Sequence, residues 1–418
     1  MINRPLVRLF LKGLTLMPDH QLIILAAIII LLFGLFSKAA ERTMITAPMV
    51  FVSVGLLLGP LGLSWLHVDM EAEVTQLLAE ITLIIILFVD ASFIQLHNIK
   101  NRLHGLPARL LLIGLPLTMI LGAGIAVLLF PQFNMWLLVV LALILSPTDA
   151  ALGQAVVKSE KVPSNIRDSI SAESGLNDGI SLPPIFVCLA VISSGLGYVS
   201  PEDHWTSFMA MQLTFGPIIG GLIGFLGGKL VELAHQRDWM DTVFQRLMCL
   251  SLAILAYTSA ESLEGNGFIA AFCAGLFLGV KNPKVRERIQ EFGETEGQML
   301  TLFVFVILGL IIIPAFAPYW DYQALIYALL SLTVIRILPV FICLIGTGLS
   351  TYSKFFIAWF GPRGIASILY LLIAIEQIGA DGHEYVLSII VLTVLLSIFA
   401  HGITAVSMSN KFAKEDKS

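Results

Sequence analysis

Apolar runs of about 20 residues follow one another along almost the whole chain, and each is long enough to cross the hydrocarbon core of a bilayer as a helix. Hydropathy places about thirteen spans, at 20–37, 47–65, 74–96, 106–130, 134–157, 165–194, 206–234, 241–261, 267–280, 297–317, 323–349, 353–376 and 384–408. Span 9 is short, and spans 6 and 7 are long enough to tilt or kink. Backbone groups in lipid need partners within their own segment, and these runs are too long for barrel strands. The expected fold class is an all-α polytopic membrane protein.

Composition agrees. The 418 residues are 57% hydrophobic and 13% charged, against about 25% charged in soluble domains. The four cysteines (Cys188, Cys249, Cys273, Cys343) sit inside apolar runs without disulfide or metal spacing, which makes them small core residues. The start "MINRPLVRLFLKGLTL" has neither a long apolar core nor a cleavage site, so no cleavable signal peptide is expected. The net charge of −5 matters less than how charge divides between loops. Loops after even spans, such as "HVDMEAE" and "SPEDHW", lack Lys and Arg. Loops after odd spans hold Lys38, Arg42, Lys100, Arg102, Lys158, Lys161, Arg237, Lys281, Lys284, Arg286, Arg288 and Lys354. This positive-inside pattern puts the C-terminus in the cytoplasm and the N-terminus outside. Arg4, Arg8 and Lys12 disagree. Either they belong to an interfacial amphipathic segment over 1–19, or the count is one span short at that end.

Thirteen divides as six, one and six. Residues 20–194 and 241–408 are then oppositely inserted repeats joined by a linker helix at 206–234, with a short tail at 409–418, the plan of many secondary transporters. Such repeats should break at equivalent positions. Span 5 contains "LILSPTDAALG" and span 12 "AWFGPRGIAS", each fifth in its half, each with a proline beside an ionisable residue. Proline removes an intrahelical hydrogen bond and clashes with the preceding turn, so spans 5 and 12 are expected to be crossed discontinuous helices around a binding site. Glycines in "GPIIGGLIGFLGG" and "AAFCAGLFLG" have the spacing of close helix packing.

Ionisable groups deep in a membrane helix cost about 2.5–3.5 kcal/mol each on the insertion scale, which makes them functional candidates. Here they are Asp90, Asp149, Glu173, Asp178, Arg336 and Arg363, with Glu80 set aside as an entrance residue. At ~1.5 Å per residue, Asp178 and Arg336 each lie ~20 Å from the cytoplasmic or outer end of their span, near mid-membrane. On span 6, Ser174 and Asp178 (i, i+4) share one face, and Glu173 and Asn177 the adjacent one. Asp178, the Ser174 hydroxyl and Thr148 at the span 5 break make an oxygen set suited to a hard cation: sodium, lithium or potassium. Glu173 is matched in depth by Arg336, an expected ion pair joining the halves. Asp149 and Arg363 are expected to compensate the half-helix ends at the two breaks. The histidines are placed mostly at loops or span ends, with His97 and His104 as solvated loop residues.

"SPTDA" followed by "ESGLNDG" resembles the paired signatures of the monovalent cation/proton antiporter superfamily, and "LFVDAS", "IRILP" and "GPRGIAS" are similar to its third-, eleventh- and twelfth-helix motifs. The likeness runs in order from 80 to 370. It implies that Asp178 binds cation and proton alternately, that Thr148 and Ser174 help coordinate, that Glu173 pairs with Arg336, and that the protein is a homodimer. Asn177–Asp178, rather than two aspartates, resembles the electroneutral sodium/proton branch. Thr-Asp-Ala stands where Thr-Asp-Pro is common, and Asp90 where some relatives have Glu.

The expected function is exchange of Na+ (or Li+ or K+) for H+ by competition at Asp178 with alternating access, in the cell (inner) membrane and serving pH homeostasis. The alternative is a cation-coupled symporter of an organic anion, with "PRG" meeting the anion. An enzyme is not expected, since spans 5 and 6 contain no histidine and Asp90 and Asp178 differ in depth. No cofactor and no nucleic-acid partner are expected.

Overall fold

The computed structural model describes residues 28, 31–37, 43–65, 73–93, 105–157, 159–194 and 205–415. The segment 1–19, most of span 1, and His97 and His104 lie outside the described residues. Among the described residues all regular structure is helical. Seven helices among the described residues are long and apolar enough to cross a membrane, and shorter apolar helices fill in between them.

Prolines and caps explain most of the local geometry. After α1 (Ala47–Leu58) and α2 (Glu73–Ser92) comes α3 (Leu106–Leu129), widened by a π-turn at Leu110–Gly114. Pro116 follows that turn, and a second π-turn at Leu308–Ile312 precedes Pro314. A proline has no N–H for the carbonyl four residues back and its ring crowds it; the extra residue of a π-turn absorbs both problems. Six of the later helices start at polar caps. Asn134 accepts from Trp136 N–H at α4 (Met135–Ile144). Asp241 caps α8 (Thr242–Glu261) and Asn266 caps α9 (Gly267–Leu276). Asn282 caps α10 (Pro283–Ile307), Asp321 caps α11 (Tyr322–Leu332), and Ser350 caps α13 (Thr351–Trp359).

Span 5 is α4, a non-helical stretch at 145–149 and α5 (Ala150–Val157). Span 12 is α13, a non-helical stretch at 360–364 and α14 (Ile365–Ile378). Span 6 is the single helix α6 (Ser164–Ser193), and span 7 is α7 (Trp205–Gln236). The last helix, α15 (Glu384–Glu415), lies at the centre: 72% of its apolar window is buried, against 22% for α7, which faces outward.

Several boundaries differ from those the sequence suggests. Span 10 begins at Pro283, so Lys284, Arg286 and Arg288 ride on the first turns of α10 instead of a loop. Span 11 is split at Thr333, between α11 and α12 (Val334–Cys343), where the Thr333 hydroxyl bonds back to the Leu329 carbonyl at 2.6 Å and the backbone leaves helical geometry. The chain beyond Met408 continues α15 to Glu415, so 408/409 is no helix end.

A close backbone approach joins α7 to α9, which run parallel. A Cβ on Gly220 would lie 2.1 Å from the Ala270 carbonyl oxygen, one on Gly224 2.1 Å from that of Ala274, and one on Gly228 2.4 Å from Gly279 N. On α7 these contacts repeat every four residues, so one face of α7 is bare backbone against the small Ala270 and Ala274 of α9. We expect Gly224→Ala to cost about 1–3 kcal/mol by overpacking and to lower the melting temperature in detergent. Gly124→Ala on α3, where a Cβ meets nothing within 4 Å, should leave it unchanged or raise it. Equal melting temperatures for the two variants would contradict the seam.

Candidate functional site

The two helix breaks lie against each other. Asp149 N–H donates to the Pro362 carbonyl at 2.9 Å. Asp149 Oδ2 accepts from Ile365 N–H, the first amide of α14, at 2.5 Å. In return Arg363 Nη1 donates to the carbonyls of Ser146 and Pro147, at 3.0 and 3.1 Å, where α4 has just ended. Ser367 Oγ takes the Ile144 carbonyl at 2.9 Å. Each break thus lends its charge to the other span. The carboxylate meets the positive N-terminal end of α14, and the guanidinium the negative C-terminal end of α4. Gly364 allows this approach, because a Cβ there would overlap Asp149 Oδ2 at 2.0 Å.

α6 passes beside the crossing, and its buried polar residues include Glu173, Ser174, Asn177 and Asp178. Glu173 takes a two-pronged ion pair from Arg336 on α12, with Nη1 to Oε1 at 2.6 Å and Nη2 to Oε2 at 2.9 Å, both residues 1% exposed. Such fork-to-fork pairing fixes both side chains in one plane. Gly361 makes room for it, since a Cβ there would sit 2.4 Å from Arg336 Nε.

Thr148 and Ser174 form the second cluster. Asn177 Nδ2 donates to Thr148 Oγ1 at 2.7 Å, Thr148 Oγ1 and Ser174 Oγ are 3.0 Å apart, and Ser174 Oγ donates to the Thr148 carbonyl at 3.0 Å. The protons therefore run in one direction, from Asn177 through both hydroxyls to a carbonyl freed by the break. Each hydroxyl oxygen keeps one lone pair uncommitted. Asn177 thus belongs with Thr148 and Ser174, not with Glu173. Beside this cluster Asp178 is 6% exposed, and its Oδ1 has no hydrogen-bond partner among the described residues; the same holds for Asn177 Oδ1. The Asp178 carbonyl accepts from Tyr370 of α14 at 3.2 Å. Asp90, half-buried on α2, lies where that helix passes α6: its carbonyl is 3.7 Å from where a Gly175 Cβ would be, and its charge reaches Asp178. Glu80 is elsewhere, hydrogen-bonded to Tyr257 and facing Glu261 and Glu376.

A buried carboxylate oxygen with no committed donor can take a proton or an alkali cation, but not both at one atom. The sequence did not single out Tyr370, Ser146, Ser367, Ser397 or His401. His401, in particular, lies buried on α15 rather than at a span end. The one signal for it was the i, i+4 pair Ser397–His401 inside an apolar run.

The chain belongs to the sodium/hydrogen exchanger family, whose transmembrane profile matches residues 26–411. It is 26% identical over 357 residues to the K(+)/H(+) antiporter NhaP of Alkalimonas amylolytica, covering 84% of this chain and 60% of that protein. It is 25% identical over 382 residues to the K(+)/H(+) antiporter NhaP2 of Shewanella sp. (strain ANA-3), covering 91% and 64%. The chain therefore spans less than two thirds of the length of these curated relatives. Its fold is that of the sodium proton antiporter MjNhaP1 from Methanocaldococcus jannaschii at pH 8, with TM-score 0.74, 22% identity, and 94% of this chain and 97% of that one aligned.

Removing one partner of a buried ion pair strands the other charge, at about 3–5 kcal/mol, whereas replacing both is close to neutral. Glu173→Ala and Arg336→Ala should each sharply lower thermal stability in detergent, and Glu173→Gln with Arg336→Met should recover most of the loss. A double variant less stable than either single one would show that the pair is not a closed unit.

Proposed function

We propose that the protein is a secondary antiporter that exchanges an alkali cation for a proton at Asp178. The observation that carries this reading is the buried Asp178 carboxylate, with Oδ1 uncommitted, beside the oxygen cluster of Thr148 and Ser174 at a broken helix. When ionised, Asp178 holds the cation together with Ser174, Thr148 and, across from α6, Asp90. When protonated it carries the proton. Asn177 aims the hydroxyls, Glu173–Arg336 ties α6 to α12, and Asp149 and Arg363 hold the breaks. The titrating charge of Asp178, neutralised by either ligand, makes the exchange electroneutral and one-for-one. Membership of the exchanger family and the names of the relatives, which include Na(+)/H(+) and K(+)/H(+) antiporters, support the class of reaction and leave sodium, potassium and lithium as candidate cations.

The same reading keeps thirteen spans in two inverted repeats, a core of spans 4–6 and 11–13 moving against a scaffold that dimerises, a cytoplasmic C-terminus in the cell membrane, and a role in pH homeostasis. The symport alternative loses ground on one observation. The guanidinium that would meet an organic anion, Arg363, is fully buried with its Nη1 held by the Ser146 and Pro147 carbonyls, and only its Nε and Nη2 lack a partner among the described residues.

The test is transport by the full chain in proteoliposomes, with a pH gradient and sodium, lithium or potassium, with and without a membrane potential. We expect voltage-independent exchange that falls to background in Asp178→Asn. Ser174→Ala should raise the apparent KM for the cation about threefold or more, as the loss of a polar contact does. Exchange persisting in Asp178→Asn would overturn the mechanism, and a rate that follows voltage would overturn the one-for-one ratio.

A further inference from the structure

In an unbroken helix the Arg363 N–H would donate to the Trp359 carbonyl, four residues back. The break at 360–364 separates the two. The Trp359 carbonyl keeps a tight contact with Gly361 N–H at 2.8 Å, and has a second lone pair to fill. The Arg363 N–H turns instead to Ser397 Oγ on α15, at 2.7 Å. Ser397 Oγ lies 3.0 Å from His401 Nδ1, and His401 Nε2 lies 2.9 Å from the Trp359 carbonyl. All of these groups are buried, apart from the partly exposed Trp359.

The proton on each atom follows from its partners. A carbonyl only accepts, so Nε2 bears a hydrogen. Ser397 Oγ accepts from Arg363, and Nδ1 lies 3.0 Å from that oxygen and 2.9 Å from the Ser397 carbonyl; on a ring protonated at Nε2 alone, Nδ1 accepts from the Ser397 hydroxyl. A ring protonated at both nitrogens would turn from the hydroxyl to the Ser397 carbonyl, 2.9 Å from Nδ1, and open the chain at Ser397. One turn further along α15, Thr404 Oγ1 holds the Trp359 indole Nε1 at 2.9 Å. One face of α15 thus grips both flanks of the break.

We propose that Ser397 and His401 form a relay of three hydrogen bonds replacing the missing bond from Arg363 to Trp359, and that His401 is a positioning residue for the cation site. The relay fixes the Arg363 backbone. The Arg363 guanidinium in turn holds the Ser146 and Pro147 carbonyls, and the next residue is Thr148, with its contacts to Ser174 and Asn177. The route from His401 to the cation is through backbone geometry, with no contact to the ion. The part that concerns ion affinity rests on the antiport reading above; the relay itself does not.

Two readouts on the full-length protein separate those parts. The first is amide hydrogen exchange across 359–365, in detergent or nanodiscs. His401→Ala and Ser397→Ala should each speed it, and the two together should add little beyond either alone, as for one chain cut once or twice. Unchanged exchange in both single variants overturns the relay, whatever the protein transports. The second readout is the kinetics of cation exchange. His401→Ala should raise the apparent cation KM about three- to tenfold, the range expected for a lost hydrogen bond, with a smaller change in maximal rate. His401→Gln, which supplies a donor and an acceptor, should recover part of it, and His401→Phe, which fills the space alone, should not. Recovery by Phe and not by Gln would reduce His401 to packing and overturn the proposal. If the unaltered protein exchanges no alkali cation, the antiport reading falls, and the relay stands or falls on hydrogen exchange.

Discussion

Inside a bilayer every backbone N–H and C=O must find a partner within the protein, and the structure is organised around the two places where helices fail to supply one. The breaks at 145–149 and 360–364 leave amides and carbonyls without helical partners in the buried interior. They are served by each other and by the flanking helices. Asp149 meets the first amide of α14, Arg363 the last carbonyls of α4, Ser367 the Ile144 carbonyl, and Ser397 with His401 the two flanks of span 12. The polar content of this oily chain concentrates here because this is where helical bonding runs out.

That arrangement has an electrostatic side. Four of the buried charges occur as complements. Glu173 faces Arg336 directly, and Asp149 and Arg363 each face the end of a half-helix of opposite sign. Asp178 differs: its Oδ1 meets no donor among the described residues. A carboxylate left in that state at low dielectric is costly unless something positive joins it, and the hydroxyls of Thr148 and Ser174 beside it are oriented by Asn177. The same economy that satisfies the breaks leaves one acid to be satisfied from outside.

How far this could be read from sequence depends on the regularity of the helix. Depth counting matched Glu173 with Arg336 because α6 is continuous, so its rise per residue is reliable, and because the break at Thr333 lies close enough to Arg336 to shift it little. The breaks were legible from Pro147 and Pro362. Their crosswise service was not, since which half-helix end a charge meets depends on how two interrupted chains pass one another. Asn177 was grouped with Glu173 on i, i+4 spacing. At about 100° per residue it falls between Glu173 and Ser174, and the position of Thr148 draws it to the latter. His401 and Ser397 were invisible because their partners are main-chain atoms of another span, and the sequence carries no mark of those.

The seam between α7 and α9 has a mechanical meaning. Where two helices touch through side chains, rotamers can re-sort and let one helix slide on the other. Between Gly220 and Ala270, and again between Gly224 and Ala274, there is carbonyl against bare Cα and no side chain to yield. A slip of one residue would drive methyl groups into peptide planes. The two helices are therefore one girder, and any rearrangement of the molecule has to be accommodated along its other joints.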